Sequence, residues 1–281
     1  MKPEDLSQVV AIVTGAAGGL GAAMTEALVD GGARVLAVDV HRGALDALAG
    51  RLPAGRVAPH AADIRDDGAC RDIVAHAAAA FGEVYALVNN AGIGQSSIRA
   101  SYYVDRIKFW EVTEERWRAI MDTNAMAPFL LAKAILPHLT AAGWGRIVNV
   151  TTSLDTMTRP GWTPYGPSKA ALEACTAIWA GDLEGSGITV NVLVPGGPAN
   201  TAMVPPDSSP DRAAMIQPEA MAAPIRWLLD PASDGVTGRR FLGVRWDPSL
   251  PPEQAAEAAS APAAWPGLGQ QARWPGQAGG E

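Results

Sequence analysis

A tyrosine and a lysine in this sequence have a spacing that suits proton transfer. Tyr165 and Lys169 are four residues apart in a stretch predicted to be helical, so their side chains share one face of that helix. A free tyrosine has a pKa of about 10, too high for a good general base at neutral pH. A nearby ammonium group, together with the positive charge of an oxidised cofactor, stabilises the phenolate and is expected to lower the pKa of Tyr165. We predict an acid–base site here, the alternative being that Tyr165 is only a core aromatic at the start of a helix.

A glycine-rich turn near the N-terminus is the second chemical feature. Residues 14–21 (TGAAGGLG) follow a predicted strand and lead directly into a predicted helix. Glycine allows the unusual backbone angles of such a turn and the close approach of a pyrophosphate. The free N–H groups and the positive dipole end of the helix favour that phosphate. In this position the turn predicts a dinucleotide site rather than only a structural bend.

Acidic residues follow the second and third predicted strands. Asp39 lies 18 residues beyond Gly21, where a carboxylate binds the adenosine ribose hydroxyls and repels a 2′-phosphate, which favours NAD over NADP. Asp39 is alternatively a solvated aspartate before the next helix, and Arg42 could attract a 2′-phosphate. Asp63 is expected to meet the adenine amino group, to cap the following helix, or to do both.

The elements that must position these residues alternate along the chain. Short apolar runs are separated by Ala-rich helical stretches, which is typical of a parallel sheet covered on both faces. The predicted strands are Val9–Thr14, Arg34–Asp39, Arg56–Ala61, Ala86–Asn89, Arg146–Val150, Thr189–Leu193 and Arg240–Val244. The predicted helices are Gly19–Gly31, Ala44–Ala49, Asp66–Phe81, Thr113–Thr140, Pro167–Gly185 and Pro218–Asp230. We predict a single α/β domain with a doubly wound parallel sheet of about seven strands and its ligand at the carboxyl ends of the strands.

Composition limits the partners. The net charge of −7 argues against nucleic acid, and no window approaches 18 consecutive apolar residues, which argues against a membrane span. The N-terminus lacks the apolar stretch of a signal peptide. Cys70 and Cys175 have neither metal-type nor disulfide-type spacing, so we expect no metal and two packed thiols in a reducing compartment. The protein is therefore predicted to be cytoplasmic.

Two segments depart from the alternating pattern. The insertion, residues 95–112, is long for a strand-to-helix loop and carries four aromatic residues. The extension, residues 248–281, is rich in Pro, Ala and Gly but keeps Trp265 and Trp274, so we expect its last portion to pack on the body or on another subunit. We predict a dinucleotide-binding and catalytic domain over residues 1–247, followed by this extension.

Over residues 7–245 the sequence resembles the short-chain dehydrogenase/reductase family. The matching segments are Thr14–Gly21, Asp39, Asp63-Ile64, Asn89–Gly92, Asn124, Tyr165–Lys169 and Asn191–Gly196. The resemblance implies a Rossmann fold and hydride transfer between nicotinamide and a carbonyl or secondary alcohol, with Tyr165 as general acid/base. It implies that Lys169 also holds the nicotinamide ribose, that Asn124 anchors a proton-relay water, and that the protein is a homo-oligomer, a dimer or a tetramer. The NAD-binding residues implied are Gly15, Gly18, Gly19, Leu20, Gly21, Asp39, Asp63, Ile64, Asn90, Gly92, Tyr165, Lys169, Pro195, Gly196 and Thr201.

The catalytic hydroxyl of the family has two candidates in this chain. The family places a serine thirteen residues before the tyrosine, which gives Thr152, whereas Ser153 has the right residue type one position later. A one-residue shift on a strand turns a side chain to the opposite face. We favour Thr152, since a threonine hydroxyl donates the same hydrogen bond, but a bulge or an early strand end would give the role to Ser153.

The family pattern changes near the C-terminus. Residues 195–198 (PGGP) make the segment before Thr201 one residue longer than usual, and Thr201 is expected to bind the nicotinamide carboxamide. The usual Asp-Gly-Gly ending is replaced by residues 245–248 (RWDP). These departures bear on oligomeric contacts and on the lid of the substrate site.

Three functions follow from these features. The first is a dehydrogenase or ketoreductase, the second an epimerase or dehydratase that uses NAD transiently, and the third a non-catalytic dinucleotide sensor. The intact Asn124, Tyr165 and Lys169 argue against the third. We expect the substrate pocket to be bordered by Met157, Trp162, residues 198–211 and the insertion, which suggests an apolar small molecule with a ring. The alternative for any single one of these residues is packing in the core.

Overall fold

The centre of the molecule is one eight-stranded sheet. The computed structural model describes residues 2–205 and 211–268. The strands are β1 (Val10–Thr14), β2 (Arg34–Asp39), β3 (Val57–Ala61), β4 (Ala86–Asn89), β5 (Gly145–Val150), β6 (Ile188–Val194), β7 (Arg239–Leu242) and β8 (Ser260–Pro262). Their order is β3-β2-β1-β4-β5-β6-β7-β8, and all neighbours are parallel except β7 and β8. The doubly wound α/β fold predicted from the sequence is confirmed.

Helices cover both faces of this sheet. They are α1 (Gly19–Asp30), α2 (Arg42–Gly50), α3 (Asp67–Phe81), α4 (Glu114–Met121), α5 (Ala127–Ala142), α6 (Leu154–Met157), α7 (Tyr165–Asp182), α8 (Ala222–Leu229) and α9 (Pro252–Ala259). Alternate residues of β1 enter different cores: Ala11 and Val13 pack with α1 and α8, whereas Val10 and Ile12 pack with α3 and α5. This burial on both sides explains why the strands are continuous apolar runs.

The eighth strand comes from the extension. In β8, Ser260 and Ala261 pair antiparallel with residues of β7, and α9 buries Ala255, Ala256 and Ala259 against the body. Trp265 is 37% exposed, and Trp274 lies outside the described residues. The described part of the extension therefore continues the main sheet.

The long helix predicted over Thr113–Thr140 is interrupted. A π-helical segment, Asp122–Met126, separates α4 from α5 and contains the buried Asn124. Helix α7 begins at Tyr165 rather than at Pro167. Pro167 is tolerated in the first turn, because N–H groups in that turn have no hydrogen-bond partner within the helix and proline lacks only this group. The last predicted helix also differs, since a 3₁₀ turn over Pro218–Met221 precedes α8.

The interrupted helix has an apolar outer surface. Among the described residues, the stretch Glu114–Ala142 is the one helical segment long and apolar enough to span a membrane by length and composition alone. Leu131, Ile135 and Leu139 of α5 are buried beside the sheet, whereas Met126 and Phe129 are 49% and 44% exposed. We interpret the stretch as a helix of the core that carries a second, uncovered apolar face.

Candidate active site

Helix α7 presents the proposed acid–base pair at the carboxyl end of β5. Tyr165 is the first residue of α7, and its side chain is buried. One turn later Lys169 is also buried, and its Nζ donates a hydrogen bond to the carbonyl of Val150, 2.8 Å away. The start of α7 therefore carries both side chains, and the end of β5 binds the ammonium group of Lys169.

Burial controls the titration of this pair. It raises the pKa of Tyr165, and a side-chain hydrogen bond with Thr152 partly opposes that rise. Burial lowers the pKa of Lys169 to about 8. Without a bound cofactor, loss of water around the phenol dominates and the ammonium bonds the Val150 carbonyl. The lowering expected from Lys169 together with oxidised nicotinamide stays a prediction.

The structure brings Thr152, and not Ser153, to the tyrosine. The side chain of Thr152 lies beside the hydroxyl of Tyr165 and acts to lower the pKa of the phenol. Ser153 caps α6 instead: its Oγ accepts a bond from the Thr156 N–H at 3.2 Å and lies 2.7 Å from the Thr156 hydroxyl. Strand β5 ends at Val150, so Thr152 and Ser153 lie outside it and the rule that neighbouring strand residues face opposite sides does not apply to them. The spacing of thirteen residues, rather than the residue type, agrees with the position of Thr152 beside Tyr165.

Asn124 ties the end of β4 to helix α7. Its side-chain NH₂ donates to the carbonyl of Ile93 at 2.9 Å and to the hydroxyl of Ser168 at 3.0 Å. Its side-chain oxygen accepts the N–H of Ile93 at 2.9 Å. Both amide hydrogens therefore have partners, so the expectation that Asn124 anchors a water stays a prediction.

The glycine-rich turn forms an open cradle at the start of α1. Gly18 is the N-cap residue, gives the helix no side-chain cap, and has nothing within 4 Å of the place where a Cβ would lie. Gly15 and Gly19 have φ angles of 63° and 54°, which other residues rarely adopt. A Cβ on Gly21 would lie 2.0 Å from the carbonyl oxygen of Gly15. This geometry fits the pyrophosphate of a dinucleotide, which the first N–H groups of α1 would hold.

Residues after β4 support this cradle. The side-chain NH₂ of Asn90 donates to the carbonyls of Thr14 and Gly15 at 2.9 and 3.1 Å. A Cβ on Gly92 would lie 3.4 Å from the Nζ of Lys169. The cradle and the acid–base pair therefore belong to one continuous site along the strand ends.

Asp39 faces the cradle from the end of β2. One carboxylate oxygen accepts the N–H of Ala17 at 3.2 Å, and the other accepts the N–H of His41 at 3.1 Å. Arg42 is directed elsewhere, since its Nε donates to Asp46 at 2.9 Å.

Asp63 is exposed after β3, next to the buried Ile64. A side-chain hydrogen bond from Arg65 holds the pKa of Asp63 below its ordinary value. The alternative that Asp63 caps the next helix is wrong, because the N-cap of α3 is Asp66, which accepts the N–H of Ala69 at 2.7 Å.

The segment after β6 closes the cradle on its open side. Pro195 is buried at the end of β6, and Gly196 has a φ of 108° beside Val244. The methyl group of Thr201 approaches the start of α1, 2.9 Å from where a Cβ of Gly19 would lie. Thr201, together with Asn200 and Arg212, borders a cavity of about 350 Å³ there.

Aromatic rings from the insertion line the other side of the tyrosine. The ring of Trp162 lies 5.8 Å from that of Tyr165, 5.6 Å from that of Tyr102 and 6.2 Å from that of Tyr103. The sequence indicated this border but not its anchor, Gln95. The buried Gln95 donates through Nε2 to the carbonyls of residues 161 and 163, at 2.7 and 3.2 Å.

Comparison with known proteins identifies the family. Residues 9–211 match the family described as short chain dehydrogenase. The chain belongs to this family. Like other members, the enzyme has an α/β fold of the Rossmann type, acts by oxidation or reduction, and uses a nicotinamide dinucleotide.

Several relatives cover more than four fifths of this chain. The 3-oxoacyl-[acyl-carrier-protein] reductase of Thermotoga maritima is 32% identical over 82% of this chain and 94% of its own length. The cis-4-hydroxycyclohexanecarboxylate dehydrogenase of Sinomonas cyclohexanicum is 33% identical over 84% of this chain and 94% of its own length. A 3-ketoacyl-(acyl-carrier-protein) reductase structure from Brucella melitensis, complexed with NADH, is 26% identical with a TM-score of 0.73 over 83% of this chain and 95% of its own.

A cofactor of each kind occurs among the similar structures. A second one, a putative NAD(P) dependent gluconate 5-dehydrogenase from Beutenbergia cavernae with NADP at low occupancy, is 30% identical with a TM-score of 0.69. It covers 83% of this chain and 93% of its own. The choice between NAD and NADP in this short-chain dehydrogenase must therefore be argued from its own residues.

Proposed function

We propose that this short-chain dehydrogenase interconverts a secondary alcohol and a ketone, with NAD as its preferred cofactor. The observation that carries the proposal is the buried pair of Tyr165 and Lys169, one helical turn apart on α7, with Thr152 beside the phenol. Two hydroxyls and an ammonium group then converge at the carboxyl ends of the strands, beside the dinucleotide cradle.

Each group has a separate task in this proposal. The bound nicotinamide supplies or accepts the hydride. Thr152 donates a hydrogen bond to the substrate oxygen, and Tyr165 transfers a proton to or from that same oxygen. Lys169 supplies positive charge near the phenol, which favours the phenolate when an alcohol gives up its proton. The nicotinamide ribose would be held by Lys169 and Tyr165.

The preference for NAD rests on the end of β2. The Asp39 side chain is 14% exposed and points its carboxylate to the cradle through Ala17. A 2′-phosphate there would meet a negative charge, whereas ribose hydroxyls would meet an acceptor. Arg42, the residue that could favour NADP, is paired with Asp46.

The aromatic wall supports an apolar substrate that contains a ring. Trp162 and Tyr103 are half-buried beside Tyr165, so part of each ring is open to a ligand. Flat rings bury large apolar areas and stack against other rings at low entropic cost. We propose a cyclic secondary alcohol, or the corresponding ketone, as the substrate class.

The test measures the reduction of NAD and of NADP by a panel of alcohols. The panel contains cyclic alcohols, linear alcohols, sugars and hydroxyacyl thioesters, each with NAD and with NADP. We expect the highest kcat/KM for a cyclic alcohol with NAD. Product formation without net NADH would instead support an epimerase or dehydratase, and binding of NAD without any turnover would support a sensor.

The outer face of the α5 and α7 helices supports self-association. Met126 and Phe129 lie on or next to α5, and Ile178 of α7 is 60% exposed. Exposed apolar groups of this size favour burial against another copy of the chain. We propose a dimer or tetramer formed through this face, and sedimentation of the wild type beside a Phe129→Glu variant tests it.

A further inference from the structure

A buried ion pair lies directly behind the proposed catalytic threonine. Arg240 of β7 donates through Nη1 to Oε2 of Glu173 in α7, at 2.6 Å. The side chains of Arg240 and Glu173 are 6% and 0% exposed. Removing two charges from water is costly, and such pairs often add little to stability compared with apolar residues of the same size. The position of this pair therefore needs another explanation.

The contacts of the pair converge on the two residues after β5. Nη1 of Arg240 donates to the hydroxyl of Thr151 at 3.2 Å, and Nη2 donates to the main-chain carbonyl of Thr152. The hydroxyl of Thr151 in turn donates to Glu173 at 2.8 Å. One guanidinium thus holds the main chain of Thr152, the residue whose side chain lies beside Tyr165.

The extension takes part in the same network. The main-chain N–H of Ala264, just beyond β8, donates to the second carboxylate oxygen of Glu173 at 3.2 Å. Glu173 therefore accepts bonds from three places, which are β7, the end of β5 and the extension. A planar guanidinium with donors in fixed directions suits this role better than a lysine would.

We propose that Arg240 and Glu173 are positioning residues that hold the Thr152 hydroxyl in line with Tyr165 and the substrate oxygen. The chain leaves the sheet after Val150, the last residue of β5, so no pairing with a neighbouring strand fixes the main chain at Thr152. The ion pair replaces that missing support. The inference rests on the proposed function, because its main readout is turnover.

A double-mutant cycle separates positioning from general stability. We expect Arg240→Met to lower kcat by about 10- to 100-fold, within the limit of roughly 10² to 10³ for losing one preorganised donor. Thr152→Val should lower kcat by up to that limit. In the Thr152→Val background, Arg240→Met should lower kcat by less than about 2-fold, since the hydroxyl it positions is already absent.

Arg146 provides the matched control. It is another buried arginine, it bonds Asp234, and it lies at the opposite end of β5 from the site. Arg146→Met should lower the melting temperature and leave kcat within about 2-fold of the wild type, because Asp234 and Arg146 do not contact residues 151 or 152. If Arg240→Met does not fold, the Arg240→Met/Glu173→Leu variant replaces it, since it leaves no unpaired buried charge.

The possible outcomes are distinct. An equal loss of kcat from Arg240→Met in both backgrounds, or no loss in the wild-type background, overturns the inference while the proposed function stands. A wild-type enzyme that turns over no member of the alcohol panel refutes the proposed function. A crystal structure of the Arg240→Met variant then decides the inference, which requires the Thr152 and Tyr165 hydroxyls to have moved out of hydrogen-bond distance.

Discussion

Replacing Asp39 by asparagine should reverse or abolish the preference for NAD. The asparagine keeps one side-chain oxygen for the N–H of Ala17, now 3.2 Å from the carboxylate, and gives up only the acceptor of the exposed His41 N–H, so the turn at Ala17 is retained while the charge is lost. The change therefore tests electrostatics rather than folding. Asp39→Ala also removes that anchor, which makes it the less informative variant.

The size of the effect follows from Coulomb's law. A 2′-phosphate carrying about 1.5 charges at an assumed separation of about 5 Å is repelled by about 1 kcal/mol in water and about 5 kcal/mol at an effective dielectric constant of 20. The Asp39 side chain is 14% exposed, so an intermediate repulsion of about 3 kcal/mol is reasonable. Weaker bonds from the ribose hydroxyls to a neutral acceptor add about 1 kcal/mol. Together these two effects should make Asp39→Asn lower the ratio of kcat/KM with NAD to kcat/KM with NADP by about 10² to 10³.

The assay is kcat/KM with NAD and with NADP for the wild type and for Asp39→Asn. Arg42→Gln is the control, because Arg42 is bound to Asp46 and should change the ratio by less than about 3-fold. A wild type that prefers NADP, or an Asp39→Asn ratio equal to the wild-type ratio, would refute the reasoning. A large effect of Arg42→Gln would show that this side chain turns toward the cofactor.

Three further perturbations address the acid–base site. Tyr165→Phe should lower kcat by about 10² to 10⁴ while NAD binding, measured by calorimetry, stays intact; near-normal turnover contradicts the chemistry. Thr152→Val should lower kcat by roughly 10² to 10³, whereas Ser153→Ala should cost little, because Ser153 caps α6; the reverse order assigns the role to Ser153. The pKa of Lys169 is depressed to about 8 from 10.5. Between those values the unfolded chain binds more protons than the folded one, so the free energy of unfolding should rise with pH in the wild type relative to Lys169→Met. Denaturant titrations from pH 8 to pH 10.5, the interval set by those two pKa values, measure this difference, and a difference that is independent of pH contradicts a buried, depressed lysine.

Features with a strong local signal could be predicted from the sequence. The apolar runs of β1, β2 and β6 are buried on both faces, so their composition alone distinguishes them from loops. The turn at residues 14–21 combines a strand, glycines and a helix within a few positions. The four-residue spacing of Tyr165 and Lys169 correctly predicted that both side chains lie on one face of a helix, which is α7.

Features that depend on distant contacts could not be predicted. Residues 260–262 (SAP) have a poor strand sequence, and they form β8 because the free edge of β7 lies beside them. Nothing local relates Arg240 to Glu173, which are 67 residues apart. The rise that burial gives the pKa of Tyr165 could not be predicted for the same reason, because the sequence shows its charged neighbour but not the loss of water around it.

The π-helical segment at Asp122–Met126 has a consequence for how the length of this chain can vary. One residue more than a regular helix needs is accommodated there, and Asn124 lies within it. Deleting that residue would restore regular winding but remove the wider turn that holds Asn124, whereas gaining or losing a residue in α4 or α5 would turn one end of the helix by about 100° relative to the other. The exposed residues of the insertion, away from its buried Gln95, Tyr102 and Ile107, have no such constraint and tolerate changes in length far better. Homologous or engineered sequences should therefore gain and lose residues before this helix but keep a constant count within it.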